Sequence, residues 1–439
     1  MSSKISKALL SIGLASSLAL VGCSSSDSDT NTDGATTVEF WHSASGASAE
    51  IIRTLIADFN STNTSGITVE EVYQGSYQDA IASLTNAVGT TELPDVMQVT
   101  DTSTGFMYDS GLITPVEDLL EDSSFVEDLV PIIGAYYTYD DKLQAMPFQA
   151  SMPMVYANKT LLEQAGLPTT EGPKTVEELT TWAQTIKDET DTAGLTVGLN
   201  SYWLEVLTAS AGELYCTPDN GLGGEPATGV NYSSASQVAQ WTNMQEIFES
   251  GAFLNVGQEG SEAQNAMGSR TSAMMLGSSG NLGNVSGMLG DELVVFPFPI
   301  DSTDGGTAPS GNALWVIGQD KSDEEQAAAA EFAAFMGSAD SQVQSFTETG
   351  YLPNSVSAVT ESRTNASEAG KVILDQLEST QGNDITGGCH TGAMAQLRSD
   401  AAQPAVERIA AGADVETTLK EAETTGAEVI ANYSERSGR

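Results

Sequence analysis

From Val38 onward the chain alternates between two hydrophobic periods, and that alternation limits the fold more than any other feature. Val38, Phe40 and Trp41 open a strand. Residues 47–59 then place Ile51, Ile52, Leu55, Ile56 and Phe59 on one face of a 3.6-residue period, which predicts an amphipathic helix. Residues 67–73 return to period two. After a further helical stretch, Pro94-Asp95 leads into the apolar strand Val96-Met97-Gln98-Val99. Thr175 with Glu178, and Ser322 with Glu325, have the spacing of capping boxes. The first should start a helix through Trp182 and Ile186, the second an alanine-rich helix ending at Gly337. Residues 293–296 and 313–317 read as buried strands. Strands joined by crossover helices make an α/β architecture. A chain of 439 residues has room for two or three domains or one large α/β body. No internal repeat of fixed period is visible.

Charge narrows the function. Lys and Arg total 16 against 60 Asp and Glu, a formal charge of −44. That argues against a nucleic-acid binder, which needs a basic stripe to displace phosphate counterions, and against a polybasic membrane-surface protein. Hydrophobic residues at 40% suffice for sizeable cores, so the acidity does not imply whole-chain disorder. The acids are spread along the chain and read as a solvated, self-repelling surface suited to salty or extracellular surroundings.

The N-terminus agrees with export. Lys4 and Lys7 precede an apolar run over residues 9–21 that is too short to span a bilayer and ends in small residues. Leu20-Val21-Gly22-Cys23 resembles a bacterial lipobox, in which the cysteine is lipidated and becomes the mature N-terminus. Residues 1–22 are therefore expected to be a signal peptide and Cys23 the lipid anchor. Residues 23–37, rich in Ser, Asp and Thr, should form a flexible tether. Cys216 and Cys389 then remain as an even pair in an oxidising compartment, either bridged or left as two separate buried thiols.

Catalytic signatures are missing. The two histidines, His42 and His390, form no HExxH pair, and Gly370-Lys371 lacks the flanking residues of a phosphate-binding loop. Gly277, Gly280 and Gly283 have the wrong spacing for a dinucleotide fingerprint and read as turns. Asp29, Asn31, Asp33 and Gly34 start like a calcium loop, but Phe40 stands where the bidentate Glu belongs. No nucleophile elbow is present, and paired carboxylates carry no information among so many acids. No metal or cofactor is expected, and a secreted hydrolase is retained only by default.

Several short motifs, in order, resemble the extracellular solute-binding proteins of ABC importers, most closely the branch that takes sn-glycerol-3-phosphate. They are Phe40-Trp41-His42-Ser43, Tyr73-Gln74-Gly75-Ser76-Tyr77, and Pro147-Phe148-Gln149-Ala150-Ser151-Met152-Pro153 with Tyr156 and Asn158. Ser278-Ser279-Gly280, Leu314-Trp315-Val316, Gly350-Tyr351-Leu352-Pro353 and Met394-Ala395-Gln396-Leu397-Arg398 continue the series. The resemblance implies a periplasmic-binding-protein-like α/β fold of two discontinuous lobes around a ligand cleft. Its lobes would comprise residues 38–146 plus 301–349, and 147–300 plus 350–439. It also implies a permease dimer with a cytoplasmic ATPase as partner, and an exported, membrane-tethered location.

Carried over by position, the resemblance implies that Tyr77 and Tyr351 present hydroxyls to the ligand and that Asp101 accepts hydrogen bonds from a diol. Ser151 and Ser279 match hydroxyl donors. Gly311 lies where a backbone N–H approaches the ligand, Trp203 near a tryptophan that covers its carbons, and Arg398 at the family arginine. The residue types are chemically coherent: a guanidinium fork with hydroxyl donors suits a phosphate, and a carboxylate suits a diol. Three departures leave the ligand open among sn-glycerol-3-phosphate, a glycerophosphodiester and a sugar or polyol. Asp101 is one methylene shorter than the family glutamate, Ser310 and Asn312 replace a glycine-richer stretch, and the cysteine pair is foreign to the pattern.

Overall fold

The computed structural model describes residues 36–90, 92–120, 124–222 and 225–438. The expected signal peptide and lipid-bearing Cys23 lie outside the described residues. Ten strands form two five-stranded sheets. In chain order they are β1 (Thr36–His42), β2 (Ile67–Tyr73), β3 (Val96–Thr100), β4 (Met146–Ser151), β5 (Pro153–Asn158), β6 (Ala193–Val197), β7 (Phe253–Asn255), β8 (Ser272–Ser278), β9 (Leu293–Pro297) and β10 (Ser310–Val316).

The first sheet has the order β2-β1-β3-β10-β4 and the second β7-β6-β8-β5-β9. Both follow one plan. Three neighbouring parallel strands are followed by an antiparallel strand, and the fifth strand reverses again. The antiparallel strand is β10 in the first sheet and β5 in the second, and each has just arrived from the other sheet. The lobes are therefore discontinuous in sequence.

Two expected boundaries move for reasons of pairing. Residues 147–151 were assigned to the second lobe, but β4 is hydrogen-bonded to β10 through Ser310↔Ser151 and Gly311↔Ala150. The chain changes sheet at Met152. Residues 301–306 were assigned to the first lobe, yet the Asp301 and Ser302 amides donate to the Ser210 carbonyl and Gly306 to Ala209, which keeps them on the second. Thr36 and Thr37, expected in the tether, instead belong to β1 and pair with Ile67 and Thr68.

The predicted helices form where their periodicity put them. The first runs Gly46–Thr62 and buries Ile51, Ile52, Leu55, Ile56 and Phe59. Phe59 meets Phe332 of the alanine-rich helix Asp323–Gly337 edge to face at 5.4 Å, and Phe332 meets Phe40 of β1 at the same distance. The small alanines let that helix lie close to the sheet, and truncating Phe332 should cost about 3–5 kcal/mol. Ser322 and Glu325 form the full reciprocal capping box. The Thr175 site forms half of one. Thr175 Oγ1 accepts the Glu178 amide, but the Glu178 carboxylate takes the Lys174 amide instead. No helix among the described residues is long and apolar enough to cross a membrane.

Candidate functional site in the interlobe cleft

The two lobes meet across a cleft in which Asp101 of the first faces Glu205 and Arg398 of the second. β3 ends in a single 3-10 turn, Asp101–Ser103, that carries Asp101 to the cleft floor. From the second lobe, helix Tyr202–Ser210 contributes Glu205 in its first turn. The C-terminal region contributes Arg398 from a π-helical stretch, Leu397–Ala402, set between Met394–Gln396 and Gln403–Ala410. Widened turns of this kind recur at functional sites because they re-aim one side chain.

These three residues meet. Arg398 Nη2 donates to Asp101 Oδ2 at 2.8 Å and to Glu205 Oε2 at 2.6 Å. The three side chains are 16%, 6% and 4% exposed. Arg398 Nε is buried and has no hydrogen-bond partner among the described residues. The guanidinium carbon lies 5.3 Å from the centre of the Tyr202 ring, an electrostatically favourable placement for a cation. Burial pulls the Arg398 pKa down, but Asp101 and Glu205 more than offset this, so it stays charged well above the ordinary arginine range. Burial pushes the Glu205 carboxyl up, Arg398 opposes that, and Asp101 adds to it. The nearby Cys389 backbone amide favours the charged carboxylate of Glu205.

Tyrosines form much of the remaining wall. Tyr136 donates to the Asp101 carbonyl at 3.2 Å. Burial raises the pKa of Tyr77, Tyr136, Tyr137, Tyr202 and Tyr351, so all five hydroxyls stay protonated. Beneath Tyr77 lies a network of carboxamides. Asn312 Nδ2 donates to the Tyr77 hydroxyl at 3.2 Å, and Gln98 Nε2 donates to Asn312 Oδ1 and Gln149 Oε1. Gln149 Oε1 also accepts from Ser48 at 2.8 Å. Tyr136, Tyr137 and Ser310 border a gap that has no room for a solute. Ligand pockets usually exceed roughly 300 Å³, and nothing of that size is open here.

The expected site residues divide by position. Asp101 and Arg398 are in direct contact, and Tyr351 lies close enough to Tyr77 to raise its pKa further. Ser151 Oγ is 2.9 Å from Ser310 Oγ at the cleft end of β4 and β10. Ser279 is committed to the crossover, where Met152 donates its amide to Ser279 Oγ and accepts the Ser279 amide. Gly311 has φ +118°, and a Cβ there would sit 2.1 Å from the Gln149 carbonyl oxygen. Its glycine is thus already required by close pairing with β4.

Trp203 is not in the cleft. Its indole donates to the Gly198 carbonyl at 2.9 Å and its ring stacks near Phe298 in the second lobe's core. On a helix, adjacent residues point about 100° apart, and it is Tyr202 that reaches the guanidinium.

Sequence reasoning missed Glu205, Tyr202 and the carboxamide network. Glu205 left a signal: it is the single acid in the otherwise uncharged segment Tyr202–Ser210, whose residues from Trp203 onward are all buried. A lone acid on an apolar helix needs a partner. The network left none, because its members come from three separate strands.

Cys216 and Cys389 are bonded, with Cα atoms 5.6 Å apart. The bridge holds a segment that presses on the first lobe. A Cβ on Gly105 would lie 2.5 Å from the Thr391 carbonyl carbon, and His390 stacks on Tyr139 at 4.7 Å.

Residues 54–370 match the family described as bacterial extracellular solute-binding protein. The chain is 30% identical over 342 residues to the sn-glycerol-3-phosphate-binding periplasmic protein UgpB of Rhizobium meliloti (strain 1021), covering 75% of this chain and 77% of that one. Two solved structures share the fold. The GacH receptor of Streptomyces glaucescens, solved unliganded and with acarbose, superposes with a TM-score of 0.77 at 22% identity, over 91% of this chain and 100% of that one. UgpB from Mycobacterium tuberculosis, solved with glycerophosphocholine, superposes with a TM-score of 0.75 at 22% identity, over 91% and 99%. With two like-planned lobes, a polar cleft between them and a family match across most of its length, this chain belongs to the bacterial extracellular solute-binding proteins, which bind solutes and are not enzymes.

Proposed function

We propose that this protein is the lipid-anchored capture subunit of an ABC importer for glycerophosphates, taking sn-glycerol-3-phosphate or a glycerophosphodiester. It would deliver the solute to a permease dimer driven by a cytoplasmic ATPase. The observation that carries the reading is Arg398 Nε, a buried guanidinium donor in the cleft with no partner among the described residues. A phosphoryl oxygen suits it, because charge-assisted donors of this kind favour anionic acceptors. Asp101 suits the diol end, since a carboxylate accepts two hydroxyl hydrogens at once. Tyrosine hydroxyls can complete the shell. The names of the relative in Rhizobium meliloti and of the structural neighbour with glycerophosphocholine support the same ligand class.

A neutral sugar or polyol is the second reading, favoured by the fact that two carboxylates already answer the Arg398 charge. Calorimetry with sn-glycerol-3-phosphate, glycerophosphocholine, maltose and glycerol separates the two. Binding of a phosphate ester that is lost in Arg398→Ala supports the first. Binding of maltose alone, unaffected by Arg398→Ala, removes the phosphate and leaves the importer. Mass spectrometry of the natively purified protein would identify a carried solute directly. For the anchor, Cys23→Ser should release the protein from membranes, because a single residue carries the lipid. A mutant that stays in the washed membrane fraction after signal cleavage would refute the lipobox.

A further inference from the structure

We infer that Glu205 is a specificity-determining residue: with Asp101 on the other side of Arg398, it makes the cleft a charge filter that favours solutes carrying at most one negative charge over phosphomonoester dianions. This rests on the glycerophosphate reading and narrows it to the diester.

The inference begins with the charges in contact. One guanidinium faces two carboxylates, and both take the same terminal nitrogen. Among the described residues neither carboxylate has a second cationic partner. The other groups around Glu205 that affect its ionisation or are affected by it are Tyr136, Tyr202, Tyr215 and Tyr232, all held neutral by burial. An entering dianion therefore meets a cluster whose formal charge is already negative, in a setting where water screens little.

Glu205 cannot readily turn away. It is 3% exposed, it belongs to a helix buried from Trp203 to Ser210, and Arg398 Nη2 holds its carboxylate at 2.6 Å. Both bonds fall on Nη2, so what the cluster still offers an anion are the donors of Nε, which is buried without a partner, and of Nη1. A phosphodiester brings a single negative charge to those donors. A phosphomonoester brings nearly two charges at neutral pH.

The test compares sn-glycerol-3-phosphate with glycerophosphoglycerol by calorimetry at pH 7.5, in wild type, Glu205→Gln and Asp101→Asn, each checked for folding by thermal unfolding. Glutamine keeps an acceptor for Arg398 while removing the charge. Wild type should bind the diester at least about tenfold more tightly. Glu205→Gln should shrink that ratio by about tenfold, mainly by strengthening the monoester. An unchanged ratio in a folded Glu205→Gln overturns the inference, as does a ratio that moves only in Asp101→Asn. Should Glu205→Gln fail to fold, Asp101→Asn decides whether the filter exists: a narrowed ratio supports it and an unchanged one overturns it. Should wild type bind neither ester but bind maltose, the glycerophosphate reading falls. The filter is then judged separately, by whether either variant gains measurable affinity for sn-glycerol-3-phosphate; no gain overturns it.

Discussion

The two lobes share one strand plan and furnish the cleft with different chemistry. On the first lobe, the strands β3, β4 and β10 bring Gln98, Gln149 and Asn312 into a neutral carboxamide network beneath Tyr77. On the second, a buried helix and a π-helical turn bring Glu205 and Arg398 into an ion pair that reaches across to Asp101. A neutral network fixes shape and hydrogen-bond direction at modest cost, since amides lose less on burial than charges do. An ion cluster sets which charges are tolerated, and breaking it is expensive. A common scaffold therefore leaves orientation to one lobe and charge to the other.

Breaking the charged side should have the largest effect. Arg398→Ala leaves Asp101 and Glu205 buried without their cation and should cost about 3–5 kcal/mol of stability, read by denaturant unfolding. It should also weaken binding of a phosphate ester by about 2–5 kcal/mol. Arg398→Lys keeps the charge but loses the planar fork, so its loss should fall between wild type and alanine. An alanine variant as stable as wild type would mean that the cluster is more hydrated than its burial indicates.

The bridge supports the same side. Thiol counting under denaturing, non-reducing conditions should find neither Cys216 nor Cys389 free. Cys216→Ser with Cys389→Ser should cost about 2–5 kcal/mol. Because the Cys389 backbone lies beside Glu205, the double variant should also alter ligand affinity. Two free thiols in the native protein would remove this link.

The contact between lobes has its own pH signature. Burial lowers the His390 pKa from 6.5 to about 4, so the imidazole is neutral in the fold and takes up a proton on unfolding. Its contribution is complete above pH 6.5 and is lost as pH falls toward about 4. The drop is worth roughly 3 kcal/mol. Urea melts at pH 7 and pH 4.5 should show His390→Gln losing less stability on acidification than wild type. Equal losses would place His390 in contact with water.

The neutral side should respond differently. Asn312→Ala removes the donor to the Tyr77 hydroxyl and an acceptor for Gln98, at about 1–3 kcal/mol. Its effect on affinity should be equal for mono- and diester ligands. A change in their ratio would show that charge selection is shared by both lobes. The smallest contrast lies in the helix caps. Ser322→Ala loses a full box and Thr175→Ala half of one, so the first should cost more, both within about 0.5–2 kcal/mol.

Much of this molecule could be read in advance, and the boundary of legibility follows distance along the chain. Ile51, Ile52, Leu55, Ile56 and Phe59 repeat at helical spacing, and the helix buries those five residues. Ser322 and Glu325 are three residues apart and cap as expected. Thr175 and Glu178 have the same spacing, yet a nearer donor, the Lys174 amide, takes the carboxylate. The lobe boundary at residue 146 failed because strand membership depends on a partner 160 residues away in β10.

At the site the division is sharper still. Local sequence determined that a cation-poor chain carries an arginine in a C-terminal motif and that Asp101 follows a buried strand, while it left Cys216 and Cys389 open between a bridge and two separate thiols. Only the tertiary structure decided that Arg398 and Asp101, 297 residues apart, share a hydrogen bond and that Glu205 is the third member. It also decided that Tyr202, not Trp203, faces the guanidinium. Periodicity places a side chain on one face of its own element. Which face another element will cover, and with what charge, is set by how the two sheets close on each other, and no short-range pattern in the chain encodes that.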